Sequence, residues 1–256
     1  MKLNSALQSF LEETGEVSKF TIRYITTGFT RPFEIRELFK QCYIIGYKSF
    51  GLVAMTSLII GLVLTMQLRP SLVNYGVESQ LPVMVGIAII REIGPVVAAL
   101  IFAGKIASSI GAELGSMKVT EQIDAMEVSG TNPFKYLVAT RVLACTIMLP
   151  ILIVMADAIA LFGAYIGVNI QGVTSLRLFF SEVFSSLEFS DVLPSYIKTY
   201  FFGFAVGIVG SYKGYTAVKG TQGVGNAANS AVVLASVLIF IIDLLAVQIT
   251  ELLGFN

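Results

Sequence analysis

Residues 49–68 read SFGLVAMTSLIIGLVLTMQL, a run that contains no charged side chain. A helix rises about 1.5 Å per residue, so a run of this length crosses the roughly 30 Å hydrocarbon core of a bilayer. The whole chain has the same character, since 55% of its 256 residues are hydrophobic and 13% are charged, against roughly a quarter charged in soluble domains. The sequence therefore predicts a membrane protein.

Four further apolar stretches make this an all-α integral membrane protein with about five transmembrane helices. The predicted spans cover residues 49–68, 81–103, 142–168, 196–209 and 231–253. Arg69-Pro70 is expected to stop the first span. Polar connections are predicted at residues 71–80, 169–195 and 211–230, and the last of these is Gly-rich and expected to be a flexible loop.

Residues 1–48 are predicted to form an N-terminal segment that precedes a transmembrane domain of residues 49–256. From residue 5 to residue 28, apolar side chains recur near helical spacing with acidic and basic residues between them. This pattern predicts an amphipathic helix that lies in the membrane interface, with a helix docked on a soluble surface as the alternative. Arg31-Pro32 is expected to break the chain after it.

The distribution of Lys and Arg predicts the orientation, because cytoplasmic loops of membrane proteins carry an excess of them. The basic residues of the N-terminal segment are Lys2, Lys19, Arg23, Arg31, Arg36, Lys40 and Lys48. The region 105–141 adds four more, and the 211–230 connection adds Lys213 and Lys219. The N-terminus and both of these regions are therefore predicted to be cytoplasmic, with the C-terminus on the outer side of the cell inner membrane.

A charged pair interrupts the second predicted span. Arg91 and Glu92 lie well inside it, where one charge costs roughly 2.5–3.5 kcal/mol on insertion scales. Adjacent residues point about 100° apart on a helix, so these two are not expected to pair with each other. They are predicted either to line a polar pocket, where Arg91 is able to hold a phosphate, or to form an ion-pair network with other helices. Pro95 is expected to kink the helix.

The segment that follows this span carries an acidic patch. Residues 113–127 have a helical pattern in which the apolar side chains of Val119, Ile123 and Met126 share one face. The acidic residues gather on another face: Glu113, Glu121, Asp124 and Glu127. A short amphipathic cytoplasmic helix is suited to docking into a groove of another protein, and an ordinary solvated face is the alternative.

Two further patterns are isolated acidic residues within the spans and a regular spacing of glycines. Asp157 and Asp243 are isolated acidic residues, expected to make structural hydrogen bonds or line a cavity, with a proton relay as the alternative. Glycines recur at G-x-x-x-G spacing, which lets helices pack closely inside one chain or across a dimer. These pairs are Gly111/Gly115, Gly163/Gly167 and Gly203/Gly207.

The composition argues against several chemistries. The chain has no His, the commonest general base and metal ligand, and Cys42 and Cys145 form no CxxC pair. The Walker A pattern GxxxxGK[ST] is absent, so nucleotide hydrolysis needs a separate subunit. We therefore expect no catalytic residue, metal or cofactor on this chain, and no nucleic-acid partner.

Four stretches together resemble the MlaE/YrbE permease family, which includes the chloroplast TGD-type lipid permeases. They are residues 91–97 (REIGPVV), 103–105 (AGK), 112–117 (AELGSM) and 120–127 (TEQIDAME). Residues 212–215 (YKGY), 223–225 (GVG) and 231–233 (AVV) are similar as well. The resemblance covers essentially the whole chain.

This resemblance implies the permease subunit of an ABC transporter that moves phospholipid or a related hydrophobic molecule between inner and outer membranes. It implies a homodimer that works with cytoplasmic ATPase subunits, which bind the ATP, and with an MCE-domain substrate-binding protein on the outer side. Arg91, Glu92 and Pro95 would lie by the lipid cavity. The coupling helix that contacts the ATPase would carry Glu113, Lys118, Glu121, Gln122, Asp124 and Glu127.

A membrane scaffold or assembly protein without transport of its own is the alternative function. It accounts for the spans and for the small-residue spacing, but it does not account for Arg91-Glu92 in the middle of a span. The charged pair and the resemblance together favour the transport subunit.

Overall fold

The computed structural model describes residues 2–28, 34–170, 172, 174–218 and 220–254, with side chains from residue 12 onward. Every regular element in this part of the chain is a helix. The α-helices are α1 Lys2–Thr27, α2 Ile35–Asn74, α3 Leu81–Ala88, α4 Gly94–Phe102, α5 Ser108–Val119, α6 Gln122–Val128, α7 Thr140–Asn169, α8 Leu176–Ser186, α9 Phe189–Tyr215 and α10 Thr221–Leu252. The predicted break at Arg31-Pro32 and the side chain of Lys219 lie outside the described residues.

Five helical stretches are long and apolar enough to cross a membrane, which confirms the predicted fold class. They are Ile35–Asn74, Glu78–Val119, Phe134–Asn169, Phe189–Tyr215 and Thr221–Leu252. The second stretch contains π-helical turns at Ile89–Ile93 and Ala103–Ala107, and the third begins with one at Phe134–Ala139. α2 runs without a break through residue 48, and the predicted domain boundary at that position stays a prediction.

The chain forms two compact units. The first consists of residues 1–45, 103–145 and 204–236, and the second of residues 46–102, 146–203 and 237–256. In the second unit the core is formed by apolar side chains of α2, α3, α7 and α8, among them Leu81, Val85, Leu161 and Phe179.

In the first unit, α1 packs on other helices through an aromatic cluster. The centroid of the Phe20 ring lies 5.1 Å from the centroid of the Phe134 ring and 5.5 Å from that of the Tyr212 ring. The guanidinium of Arg23 lies over the Phe134 ring at 4.3 Å, a cation–π contact. The predicted helix is confirmed, with one face on the protein and Ile22 on an exposed face; its position in the membrane interface stays a prediction.

The prediction that Arg69-Pro70 stops the first span is wrong, because α2 runs on to Asn74. A proline removes one backbone hydrogen bond, and membrane helices tolerate this loss where neighbouring groups compensate for it. Here the guanidinium of Arg69 donates to the carbonyl oxygen of Val168 at 3.1 Å and forms an ion pair with Glu78. These contacts hold the last turns of α2.

The connection predicted at residues 169–195 contains the whole of another helix, α8, and the start of α9. The hydroxyl of Ser175 caps α8 by accepting from the backbone N–H of Leu178 at 3.2 Å. Phe179 and Val183, four residues apart on one face, are both fully buried. α8 is too short to be recognised as a span, but it covers α3 on the unit's core.

The predicted flexible loop at residues 211–230 is also mostly helical, which corrects the prediction. α9 continues to Tyr215, and α10 begins at Thr221. A Cβ atom at Gly214 would lie 2.7 Å from the Cβ of Leu114. The missing side chain therefore serves close helix packing rather than flexibility.

The G-x-x-x-G pairs pack inside the chain. A Cβ atom at Gly163 would lie 2.2 Å from the carbonyl oxygen of Leu58, so α7 and α2 approach backbone to backbone. A Cβ atom at Gly111 would lie 3.2 Å from the carbonyl oxygen of Ala227, where α5 meets α10. Internal packing is thus the role that the structure supports at these glycines.

Candidate functional site

Arg91 and Glu92 lie on a π-helical turn in the middle of the second span. The turn covers Ile89–Ile93, and the backbone N–H of Gly94 donates to the carbonyl oxygen of Ile89, five residues earlier. Such π-bulges change the direction in which side chains leave a helix and are frequent at functional sites. The helix is continuous here, so the interruption seen in the sequence is a change of helical register.

The π-helical turn explains how Pro95 is accommodated. In that register the N–H of residue 95 would donate to the carbonyl oxygen of Ile90, but proline has no N–H. The hydroxyl of Ser195 on α9 donates to this oxygen instead, at 2.7 Å. Pro95 itself is buried in α4. Its predicted place beside a lipid cavity therefore stays a prediction.

A buried lysine is the centre of the charged site. The side chain of Lys198 on α9 is 3% exposed, and its ammonium lies 2.6 Å from a carboxylate oxygen of Glu92 and 2.8 Å from one of Asp243 on α10. One cation thus pairs with two carboxylates from different spans. This arrangement offsets part of the desolvation of all three groups. Asp243 is thus an ion-pair partner, and the hydrogen bonding predicted for it stays a prediction.

Arg91 has a different partner, as its position next to Glu92 predicts. Its guanidinium lies 3.4 Å from a carboxylate oxygen of Asp191 near the start of α9, and its side chain is 38% exposed. Together with Glu92 and Lys198 it lines a crevice of about 20 Å³, which is room for about one water molecule. The predicted ion-pair network is therefore present, while a pocket in which Arg91 holds a phosphate stays a prediction.

A larger and more apolar cavity lies in the same unit, between α7, α8 and the first turns of α9. Its volume is about 510 Å³, within the roughly 300–1,000 Å³ of ligand pockets. Asp157 lies in its wall. One carboxylate oxygen of Asp157 is buried without a hydrogen-bond partner among the described residues. The predicted cavity-lining role of Asp157 is confirmed.

Gly94 makes room for this carboxylate, and this predicts the effect of a substitution. A Cβ atom at Gly94 would lie 2.0 Å from Oδ1 of Asp157 and 2.7 Å from the carbonyl oxygen of Ile89. Gly94→Ala should therefore lower the stability of the protein in detergent by about 1–3 kcal/mol, as overpacking does. Gly104→Ala in the same span is the control, since nothing lies within 4 Å of its Cβ position. Equal melting temperatures for the two variants would contradict the packing described.

The acidic patch of the first unit differs from the single helix predicted over residues 113–127. α5 ends at Val119, Glu121 has a left-handed backbone with φ of 59°, and α6 begins at Gln122. The ammonium of Lys118 bridges this break with an ion pair to Asp124 at 2.8 Å. The patch therefore consists of the end of one span and a separate short helix.

The two parts of the patch are anchored differently. Ile123 is 1% exposed and fixes α6 on the protein, while the polar side chains of Glu121, Gln122, Asp124 and Glu127 are exposed. Glu113 on α5 forms an ion pair at 2.8 Å with Arg141, whose side chain on α7 is 3% exposed. α6 is thus an acidic surface beside two membrane-spanning helices that are joined to each other by a charge pair.

Comparison with known proteins identifies the family. The model of the family described as Permease MlaE matches residues 38–249 of this chain. The chain belongs to the MlaE permease family. A probable ABC transporter permease of Rickettsia typhi is 38% identical over 95% of this chain and 93% of its own length. The intermembrane phospholipid transport system permease protein MlaE of Haemophilus influenzae is 34% identical over 83% of this chain and 82% of its own length. A probable ABC transporter permease of Pyropia yezoensis is 34% identical over 94% of this chain.

Sequence reasoning found half of the charged site of this MlaE permease and missed the other half. It identified Arg91 and Glu92 as a charged pair, but it gave Lys198 no role in the site. The available signal was that Lys198 lies inside the predicted fourth span, as Asp243 lies inside the fifth. Charges at matching depths in several spans of a permease are expected to be partners.

Proposed function

We propose that this permease moves phospholipid or a related hydrophobic molecule between the inner and outer membranes, with ATP hydrolysed on a separate cytoplasmic subunit. The observation that carries the proposal is the family match over residues 38–249, together with a relative named as an intermembrane phospholipid transport permease. Charged side chains inside three spans support it, because ionisable residues within membrane helices commonly mark substrate pathways.

In this proposal Arg91 contacts the phosphate of the lipid. Its guanidinium is partly exposed, and its ion pair with Asp191 is long at 3.4 Å. A guanidinium has five N–H donors, so one such contact leaves donors for phosphate oxygens. The ion pair of Lys198 with Glu92 is shorter, at 2.6 Å, and it holds the two helices of the site in position.

α6 is the proposed contact with the ATPase. Its exposed acidic side chains suit a basic groove, and its anchor at Ile123 makes it rigid. When two ATPase subunits close on ATP, they push on α6. The movement of α6 is passed to α5, which ends just before it. The Glu113–Arg141 pair passes the movement on from α5 to α7, at the cytoplasmic ends of the second and third spans. The cavity that holds the lipid then narrows.

The proposed assembly is a homodimer. Five spans are few for a complete transport pathway, and a two-fold dimer is the commonest way to enlarge one. The proposed dimer surface is on α10, whose apolar side chains Val233, Phe240 and Leu244 are exposed in one copy. An MCE-domain protein is the proposed partner on the outer side. The N-terminus and α6 are placed in the cytoplasm and the C-terminus outside.

Arg91→Ala tests the lipid contact. Loss of a hydrogen bond to a charged group costs about 1.5–3 kcal/mol, so the phospholipid that co-purifies with the complex should fall about tenfold. The measurement is mass spectrometry of extracted lipid per permease. Arg177→Ala is the control, because Arg177 is exposed on α8 outside the crevice. Undiminished lipid in the Arg91 variant would refute contact with the headgroup.

A further inference from the structure

The cavity that contains Asp157 shares Ser195 with the lining of the charged crevice, but the rest of its lining has a different chemistry. Apolar side chains make up most of its wall, among them Ile153, Leu161, Phe184 and Phe189. The charged residues that line it are Asp157 and Glu188, and both are acidic. No basic residue lies in this lining. The cavity therefore suits a long apolar group whose polar end carries a positive charge.

Asp157 lacks an internal partner for a clear reason. Ser195 also lines the cavity, but its hydroxyl donates to the carbonyl oxygen of Ile90. The ammonium of Lys198 is engaged by Glu92 and Asp243. The oxygen without a partner in the described part of the chain, Oδ1, has almost no exposed surface and packs against Gly94, so this contact fixes the carboxyl group in the cavity wall without a hydrogen bond.

The close fit of Asp157 against Gly94 shows that the carboxyl group is held in position rather than free to reach solvent. Its Oδ1 occupies the space that any side chain at residue 94 would fill. The chain has thus placed a fixed acceptor in the wall of an apolar cavity.

We propose that this cavity binds an amphiphile with an alkyl chain and a protonated amino group, and that Asp157 is the counter-ion of the amine. The alkyl chain lies along Leu161, Phe184 and Phe189, and the ammonium donates to Asp157. Glu188 adds negative charge at the same cavity. Binding of a ligand that carries a phosphate or carboxylate group but no amine is therefore disfavoured. The charged crevice differs, because it contains Arg91 and Lys198 as well as carboxylates.

Photolabelling of the full-length protein in phosphatidylcholine nanodiscs tests this site. The probes are dodecylamine and dodecanoic acid, each with a diazirine near the end of the chain. We expect the amine to label peptides covering residues 153–161 and 184–192 about tenfold more than the acid, a difference of about 1.4 kcal/mol in binding. Equal labelling by the two probes, as bilayer lipid filling a groove would give, would overturn the proposal.

Asp157→Asn should reduce labelling by the amine about tenfold and leave labelling by the acid unchanged or higher. Glu182→Gln on α8 is the matched control, because Glu182 is outside the lining, and it should label as the unmodified protein does. If Asp157→Asn fails to fold, Ala158→Phe fills the cavity and keeps the carboxyl, and it should reduce labelling at both peptides. Undiminished labelling in this variant would also overturn the site.

A final arm distinguishes the source of the amine. Replacing phosphatidylcholine by phosphatidylethanolamine should suppress labelling if a membrane aminolipid occupies the cavity, and should leave it unchanged if the ligand is a free amine. Both results keep the amine-binding site. None of these measurements reads transport, so failure here leaves the proposed function intact.

Discussion

Lys198→Met should destabilise the protein more than any other single change discussed. Methionine retains the length of the side chain but leaves the partly buried carboxylates of Glu92 and Asp243 without a cation. Removing one partner of a buried ion pair costs about 3–5 kcal/mol. For a chain of this size we expect a melting temperature lower by on the order of 10 °C, measured by thermal unfolding in detergent.

The control is the neutral triple variant, Lys198→Met with Glu92→Gln and Asp243→Asn. It removes the uncompensated charges, so it should recover much of the lost stability, because neutral replacement of a buried ion network is often close to neutral overall. The three residues are in contact, so their effects should be strongly non-additive. A triple variant no more stable than Lys198→Met alone would show that charge pairing is not what holds these helices.

Reversing the charge of the acidic patch should uncouple ATP hydrolysis from transport. Glu121→Lys with Asp124→Lys places two cations on the exposed surface of α6. If each reversal costs about 1.4 kcal/mol against a basic groove, the ATPase should bind about 100-fold more weakly. The measurements are co-purification of the ATPase and lipid-stimulated hydrolysis in the reconstituted complex.

This loss should not be a folding defect. The Lys118–Asp124 ion pair is solvent-exposed, and such pairs contribute about 0–1 kcal/mol, while the anchor at Ile123 is retained. Glu182→Lys with Glu251→Lys reverses as many charges on the side proposed to be outer, and should leave hydrolysis unchanged. Lipid-stimulated hydrolysis at the unmodified rate in the α6 variant would refute its role as the coupling element.

The number of spans was predictable because hydrophobic length is a local property of the sequence. The ends of the spans were not, because they depend on contacts with distant residues. Arg69 signals the end of a helix by its charge, yet the carbonyl oxygen of Val168 satisfies it. In the same way Gly214 resembles a loop residue, yet it allows close approach to Leu114.

The site was half predictable for a related reason. A charged pair in a span signals a polar environment, and the angle between adjacent residues correctly separated the partners of Arg91 and Glu92. Which residues those partners are depends on the register between helices, because Lys198 lies 106 positions away from Glu92 in sequence. The break at Glu121 was equally hidden, since a left-handed residue that is not glycine has only a weak local signature.

The most direct test of the account is ATP-dependent transfer of labelled phospholipid between liposomes by this chain reconstituted with the proposed ATPase and the proposed outer partner. We expect transfer to require ATP, to stop when this chain is omitted, and to fall with Arg91→Ala but not with Arg177→Ala. Transfer that proceeds at the same rate without ATP or without this chain would contradict its assignment as the lipid-moving subunit.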